Sequence, residues 1–294
     1  NKGWEFRVDA VPFENRDWRV GFYFNIAHNE NKITEMPDNY TEENYTFNNG
    51  EYAYRREEGR PMGSFYGYRY KGVCQNKDAT YARDADGNVM KDISGNAIVM
   101  RNGTATIAPG DALYEDINHD GVINQYDIVY LGNSNPRFTG GAGVNVSYKQ
   151  FKLSAIFYGR YGQDVVNSTR LNNESMRGID NQSTAVLRRW RNEGDQTDIP
   201  RALYGEGYNT LGSDRFVEDA SYLRLKSLSF NYRLPKKIIQ RWGFSNIDVY
   251  VTGYNLFTWT KYTGQDPEVK TENTYARDSA TTPASIQLVA GFNL

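Results

Sequence analysis

"WRVGFYFNI" (residues 18–26) decides how this chain reads. Trp18, Val20, Phe22, Phe24 and Ile26 fall on one side of an extended backbone, and Arg19, Gly21, Tyr23 and Asn25 on the other. Alternation with a period of two is the signature of a strand with unlike faces. It recurs in "WEFRVDA" (4–10), "GVNVSY" (143–148), "FKLSAIFYGRY" (151–161), "IDVYVTG" (247–253) and "SIQLVAGFNL" (285–294). "YLRLKSLSFNYRL" (222–234) alternates too, but its phase switches near Lys226, which predicts a bulge.

The fold class expected is therefore all-β, with strands near residues 3–13, 17–29, 139–149, 150–162, 221–233, 246–259 and 284–294. Each has about the nine to eleven residues of a tilted membrane strand. Alternation alone fits a half-buried soluble sandwich equally well. The connections separate the two. "ENRD" (14–17), "KQ" (149–150) and "PKKIIQRWGFSN" (235–246) are short, while the segments between them in strand order are long. Tight turns at one pole and long loops at the other describe an outer-membrane barrel. A soluble domain seldom carries such long loops. "GSFYGYRY" (63–70) is strand-like, but a crossing there would invert every earlier strand; it is placed in the first long loop as a local hairpin or cover. An odd number of strands leaves open edges that lipid cannot satisfy, so a piece of a larger barrel is expected.

Composition narrows the classes. The 34 basic and 36 acidic residues give a net charge of -2, which offers no basic face for nucleic acid. A single cysteine, Cys74, allows no internal disulfide, and two histidines leave little for a zinc site or a Ser-His-Asp triad. Neither a transmembrane helix nor a signal peptide is recognisable in the residues. The 23 tyrosines suit sheets and membrane interfaces, having an apolar body and a wet tip.

"GSFYGYRYKGV", "DINHDGVINQYDIVYLGNSNPRFTGG", "RWRNEGDQTDIPRA", "SDRFVEDASYLRLKSLSFNYRLPKKII" and "DVYVTGYNLFTWTKYTGQDPEV" together resemble the C-terminal part of SusC/RagA-like TonB-dependent transporters. The resemblance runs over essentially the whole chain. It implies the final seven-strand segment of a 22-stranded transmembrane antiparallel β-barrel with long extracellular loops. It implies a bacterial outer-membrane location, a SusD-like surface lipoprotein as cap, and import of glycans or peptides driven through TonB. The remainder of the transporter, plug and earlier strands, would be a further partner. The TonB-contacting segment, plug and those strands are not in these residues, and the chain stops at "AGFNL" where family members run on to an aromatic end. Outer-membrane lipid would surround the wall, and no enzyme activity is expected.

"DINHDGVIN" (116–124) opens like an EF-hand loop. Asp116, Asn118 and Asp120 take the first three ligand positions, Gly121 the sharp turn, Val122 the carbonyl position and Asp127 the closing position, with Asn124 as a further donor. Hard Ca²⁺ wants such oxygens, and the expected role is a structural clip on the long loop. Asp in place of Glu at the closing position weakens bidentate closure, and a metal-free loop of Asx turns is the plain alternative.

Other candidates weigh less. Glu42, Glu43, Glu57, Glu58, Glu193 and Asp195 could pair as a glycosidase dyad but read better as solvated surface. Tyr66, Tyr68, Tyr204, Tyr208 and Tyr262 could stack on sugars, or pack the loops. Trp4, Trp18, Tyr148, Phe151, Tyr232, Trp242 and Phe292 are assigned to an aromatic girdle at the short-turn pole. Arg7, Arg19, Lys152, Arg160 and Asp248 are assigned to the lumen. The competing reading is a secreted, calcium-clipped β-sandwich glycan-binding module.

Overall fold

Seven long antiparallel strands pair strictly in sequence order in the computed structural model: β1 (Lys2–Glu14), β2 (Trp18–Glu30), β3 (Phe138–Tyr148), β4 (Phe151–Tyr161), β5 (Tyr222–Arg233), β6 (Asp248–Thr260) and β7 (Gln287–Asn293). The structure describes residues 1–37, 51–53, 55–269, 271–272, 275–278 and 283–294. β7 begins three residues later than the alternation suggests. Asn15 caps the first tight turn by accepting from the Asp17 and Trp18 amides. Lys149, at φ 51°, turns the second. The short helix Lys236–Ile239 fills the third, with Ile239 fully buried.

Register makes the two faces coherent across strands. One row runs Trp18, Tyr148, Phe151, Tyr232, Val249, Phe292. Its rings touch, Trp18 to Tyr148 at 4.3 Å and Phe151 to Tyr232 at 4.7 Å between centroids. A second row, Phe22, Val144, Ala155, Leu228, Gly253, Leu288, lies on the same face. Trp4 departs from its assignment. It pairs with His28, which pairs with Phe138, and so lies at the long-loop pole. The reason is strand direction: the tight turn follows Glu14, at the far end of β1 from Trp4. Aromatic rings therefore edge this face at both poles.

The phase switch at Lys226 is a bulge, since Leu225 and Ser227 pair with the consecutive residues Phe157 and Ile156 of β4; across from it on β6, Asn255 takes a left-handed φ of 52°. "GSFYGYRY" stays out of the sheet. Ser64–Gly67 pairs with Val129–Asn133, and Tyr70–Val73 with Ala112–Tyr114, all within the first long connection.

The buried core lies in these connections and not on the sheet. Tyr66, Tyr68, Cys74, Ala112, Tyr114 and Ile123 pack with Leu211 of the second connection. The two connections share backbone bonds, Tyr68 N–H to Gly212 carbonyl and Asp214 N–H to Tyr68 carbonyl. The third joins them where the Asp278 amide donates to Val166. Residues 81–99 hold a turn repeat: Asp84 accepts from Asp86 and Asn88 amides, and Asp92 likewise from Ser94 and Asn96. Ala82, Met90 and Ile98 then bond each other's backbones in a closed ring.

Cys74 is fully buried in this loop core, and burial pushes its thiol up to about 11. At about pH 8 only about one thiol in a thousand would be thiolate. Iodoacetamide should therefore leave Cys74 unmodified in the native protein and label it after denaturation. Rapid labelling of the native protein would place Cys74 outside the core.

Candidate functional site

Three ion pairs lie on the polar face of the sheet. Arg7 meets Asp9 at 2.6 Å, Arg19 meets Glu14 at 3.1 Å, and Arg233 meets Asp248 at 2.9 Å. Lys152 sits level with Ser147 and Asn231, and Arg160 with Thr139 and Tyr222, on the same side. All five residues assigned to a lumen share this face. The Tyr23 ring reaches over Gly143, into the space that a side chain there would fill.

Towards the long-loop pole this face receives the third connection. Arg224, with its side chain 3% exposed, donates to Thr258 at 2.8 Å and Glu268 at 2.7 Å, and pairs with Asp266. Lys226, the bulged residue, reaches the same Glu268 carboxylate at 2.8 Å. The sequence reading missed this cluster. Its signal is the basic Arg224 and Lys226 on an otherwise hydroxyl-rich strand face, facing "QDPEV" (265–269).

Behind it the second connection builds another network. Glu174 accepts from Arg170 at 3.1 Å and Arg215 at 2.7 Å, while Glu218 accepts from Arg170, Asn167 and Thr263. A third, Asp111, fully buried, takes Arg201 in a two-pronged bond and two further donors, Ala108 N–H and Asn209 Nδ2. Charged acceptors held by several donors lock loops far better than exposed pairs.

In the EF-hand-like loop, Asp116 accepts from the Asp120 and Gly121 amides, and Asp120 from the Val122 amide and Asn118 Nδ2. The Val122 carbonyl accepts from Asn124 Nδ2. Asp127 lies fully buried beneath, accepting from the Ile117 and Asn124 amides at 2.8 Å each. Burial, then the nearby charges of Asp116 and Asp120, raise its carboxyl above the usual range, against the pull of those amides. Among the described residues no group of three or more His, Cys, Asp or Glu converges as a metal cluster. The turn-forming residues are thus brought together, and Asp127 is engaged by backbone.

The remaining candidates are placed as follows. Tyr66, Tyr68 and Tyr262 are buried, Tyr262 donating to Asp278, whereas Tyr204 is exposed. Glu57 accepts from Tyr66, and Asp195 from the Arg191 and Asn192 amides. Glu42 and Glu43 lie outside the described residues.

No protein-family model matches the chain. It is 33% identical over 283 residues to TonB-dependent receptor P3 of Formosa agariphila, covering 93% of this chain and 25% of that protein. It is 25% identical over 280 residues to TonB-dependent receptor SusC of Bacteroides thetaiotaomicron, covering 92% and 24%. The structure of the RagAB peptide transporter superposes with a TM-score of 0.68 at 25% identity, over 99% of this chain and 28% of that one. The chain thus spans about a quarter of the length of these relatives, which are receptors and transporters rather than enzymes.

Arg224→Ala would strand Asp266 and leave Glu268 with Lys226 alone. Breaking a buried pair from one side costs about 3–5 kcal/mol. Amide hydrogen exchange over 262–269 should accelerate while 64–73 stays protected. Unchanged exchange in both segments would show that the third connection is held by other contacts.

Proposed function

We propose that this chain, SusC/RagA-like in sequence and fold over nearly its whole length, is a seven-strand wall segment of a bacterial outer-membrane importer. The observation that carries the reading is the apolar face. Trp18, Phe22, Val144, Leu153, Phe230, Val251 and Leu288 all lie exposed on it, and no described residue packs over them. A soluble protein covers such a surface, whereas hydrocarbon solvates it. β1 and β7 each pair on one side among the described residues, so neighbouring wall strands would complete the ladder there.

The tight turns then face the periplasm and the long loops the outside of the cell. The polar face lines the lumen, and the loop body shapes the mouth through which glycans or peptides enter. A SusD-like lipoprotein is the partner at that mouth, and TonB supplies energy through parts of the transporter beyond these residues. Phe22→Trp in the intact transporter, reconstituted with brominated lipid, should be strongly quenched, and Asn145→Trp on the opposite face should not. No quenching at either position would favour the calcium-clipped sandwich module.

The loop at 116–127 is proposed to take a structural Ca²⁺ through Asp116, Asn118 and Asp120, the Val122 carbonyl and Asp127. The charges of Asp116 and Asp120 lie near enough to raise the proton affinity of Asp127, and a cation among them would relieve that repulsion, which supports this. When bound, the ion would tie the turn to the loop core. Chelation should speed hydrogen exchange over 114–128 by about tenfold or more, and Ca²⁺ should restore it. Exchange indifferent to chelator would leave the Asx turns as the loop's sole fastening.

A further inference from the structure

Between the second and third connections lies a cavity of about 500 Å³, and its walls are unevenly spent. Its carboxylate is spent: Glu174 is held by Arg170 and Arg215, and the Asn167 side-chain oxygen accepts from the Arg170 amide. Its cations are not all spent. The side chains of Arg188, Thr169, Asn173 and Gln265 line the cavity, and none makes a hydrogen bond or ion pair among the described residues. Arg170 spends Nε and Nη1 on Glu174, Glu218 and the Arg215 carbonyl, which leaves Nη2.

The charge count leans the same way. Arg170, Arg188 and Arg215 stand against Glu174 and Glu218, which leaves one positive charge unmatched. Arg215 sits just behind the wall, its side chain 4% exposed, with Nε and Nη1 lacking hydrogen-bond partners while the guanidinium lies over the Tyr70 and Phe216 rings. That buried charge is matched by Glu174 through Nη2 alone, with its other face against the two rings. Unspent planar donors around a positive pocket suit a planar or tetrahedral oxyanion.

We infer that this cavity is a subsite for an oxyanion carried by the imported polymer, with Arg188 and Arg170 as charged donors and Asn173 and Gln265 as amide donors. The inference rests on the importer reading and deepens it. A peptide would supply a carboxylate and a glycan a uronate or sulfate ester; the recognising chemistry is shared.

The test uses the intact transporter purified in detergent, with four labelled probes: hexaglutamate, hexaglycine, a sulfated hexasaccharide and its unsulfated counterpart. At least one anionic probe should bind about tenfold or more tighter than its neutral match, and this preference should shrink with salt. Arg188→Gln should cost that probe about tenfold and leave the neutral probes unchanged. Arg241→Gln, the same charge change at the tight-turn pole, should do nothing. A preference confined to hexaglutamate or to the sulfated probe identifies which polymer supplies the anion. If neither anionic probe is preferred, or if Arg188→Gln behaves like Arg241→Gln, the subsite is overturned. Lipid quenching at position 22 is unaffected by that outcome, so the wall reading stands or falls separately.

Discussion

Lateral backbone hydrogen bonding is what everything else in this chain depends on. A wall between oil and water has no third dimension in which to bury peptide groups, so each strand satisfies its neighbours in the plane. That requirement explains the strict sequence-order pairing, the matched register rows and the separation of the two faces. It also permits an apolar face that would be a defect in any aqueous sheet. The bulge at Lys226 is a local departure from the ladder. It turns a charged side chain towards Glu268 just where the third connection docks.

The hydrophobic effect acts elsewhere, in the loop body, where Tyr66, Tyr68, Ala112, Tyr114 and Leu211 exclude water. Three connections that are distant in sequence are joined by shared carboxylates: Asp111 binds the first to the second, and Glu218 the second to the third. A carboxylate surrounded by donors is stable without being especially strong, because each bond removes an unsatisfied group from the interior. The layer built by the three connections therefore behaves as a small folded domain threaded by three separate entries and exits.

Much of the wall was legible in the sequence, because a period of two is a local property and the tight turns have local signals. Trp18, Tyr148 and Phe151 fell into one row as their spacing from the turns implied. Trp4 did not, since its pole follows from strand direction and not from composition. The loop body was nearly opaque. Arg224 and Asp266 lie 42 positions apart, and only the folded chain brings them within bonding distance. The Asp84 and Asp92 turns carry a repeated Asp-x-x-Gly-Asn pattern, a local signal of the same kind as the motif at Asp116. That motif did show which residues form the turn. It did not show that Asp127 would be occupied by two backbone amides.

The threading of the mouth has a consequence for how such proteins diversify. Tyr68 is bonded on both sides by the backbone of the second connection, and Val166 by that of the third. A single connection transplanted from a relative would arrive without its counterparts and leave carbonyls and carboxylates facing nothing. On the importer reading, specificity would therefore pass between relatives as a set of three loops, and a change in one would call for matching changes in the other two.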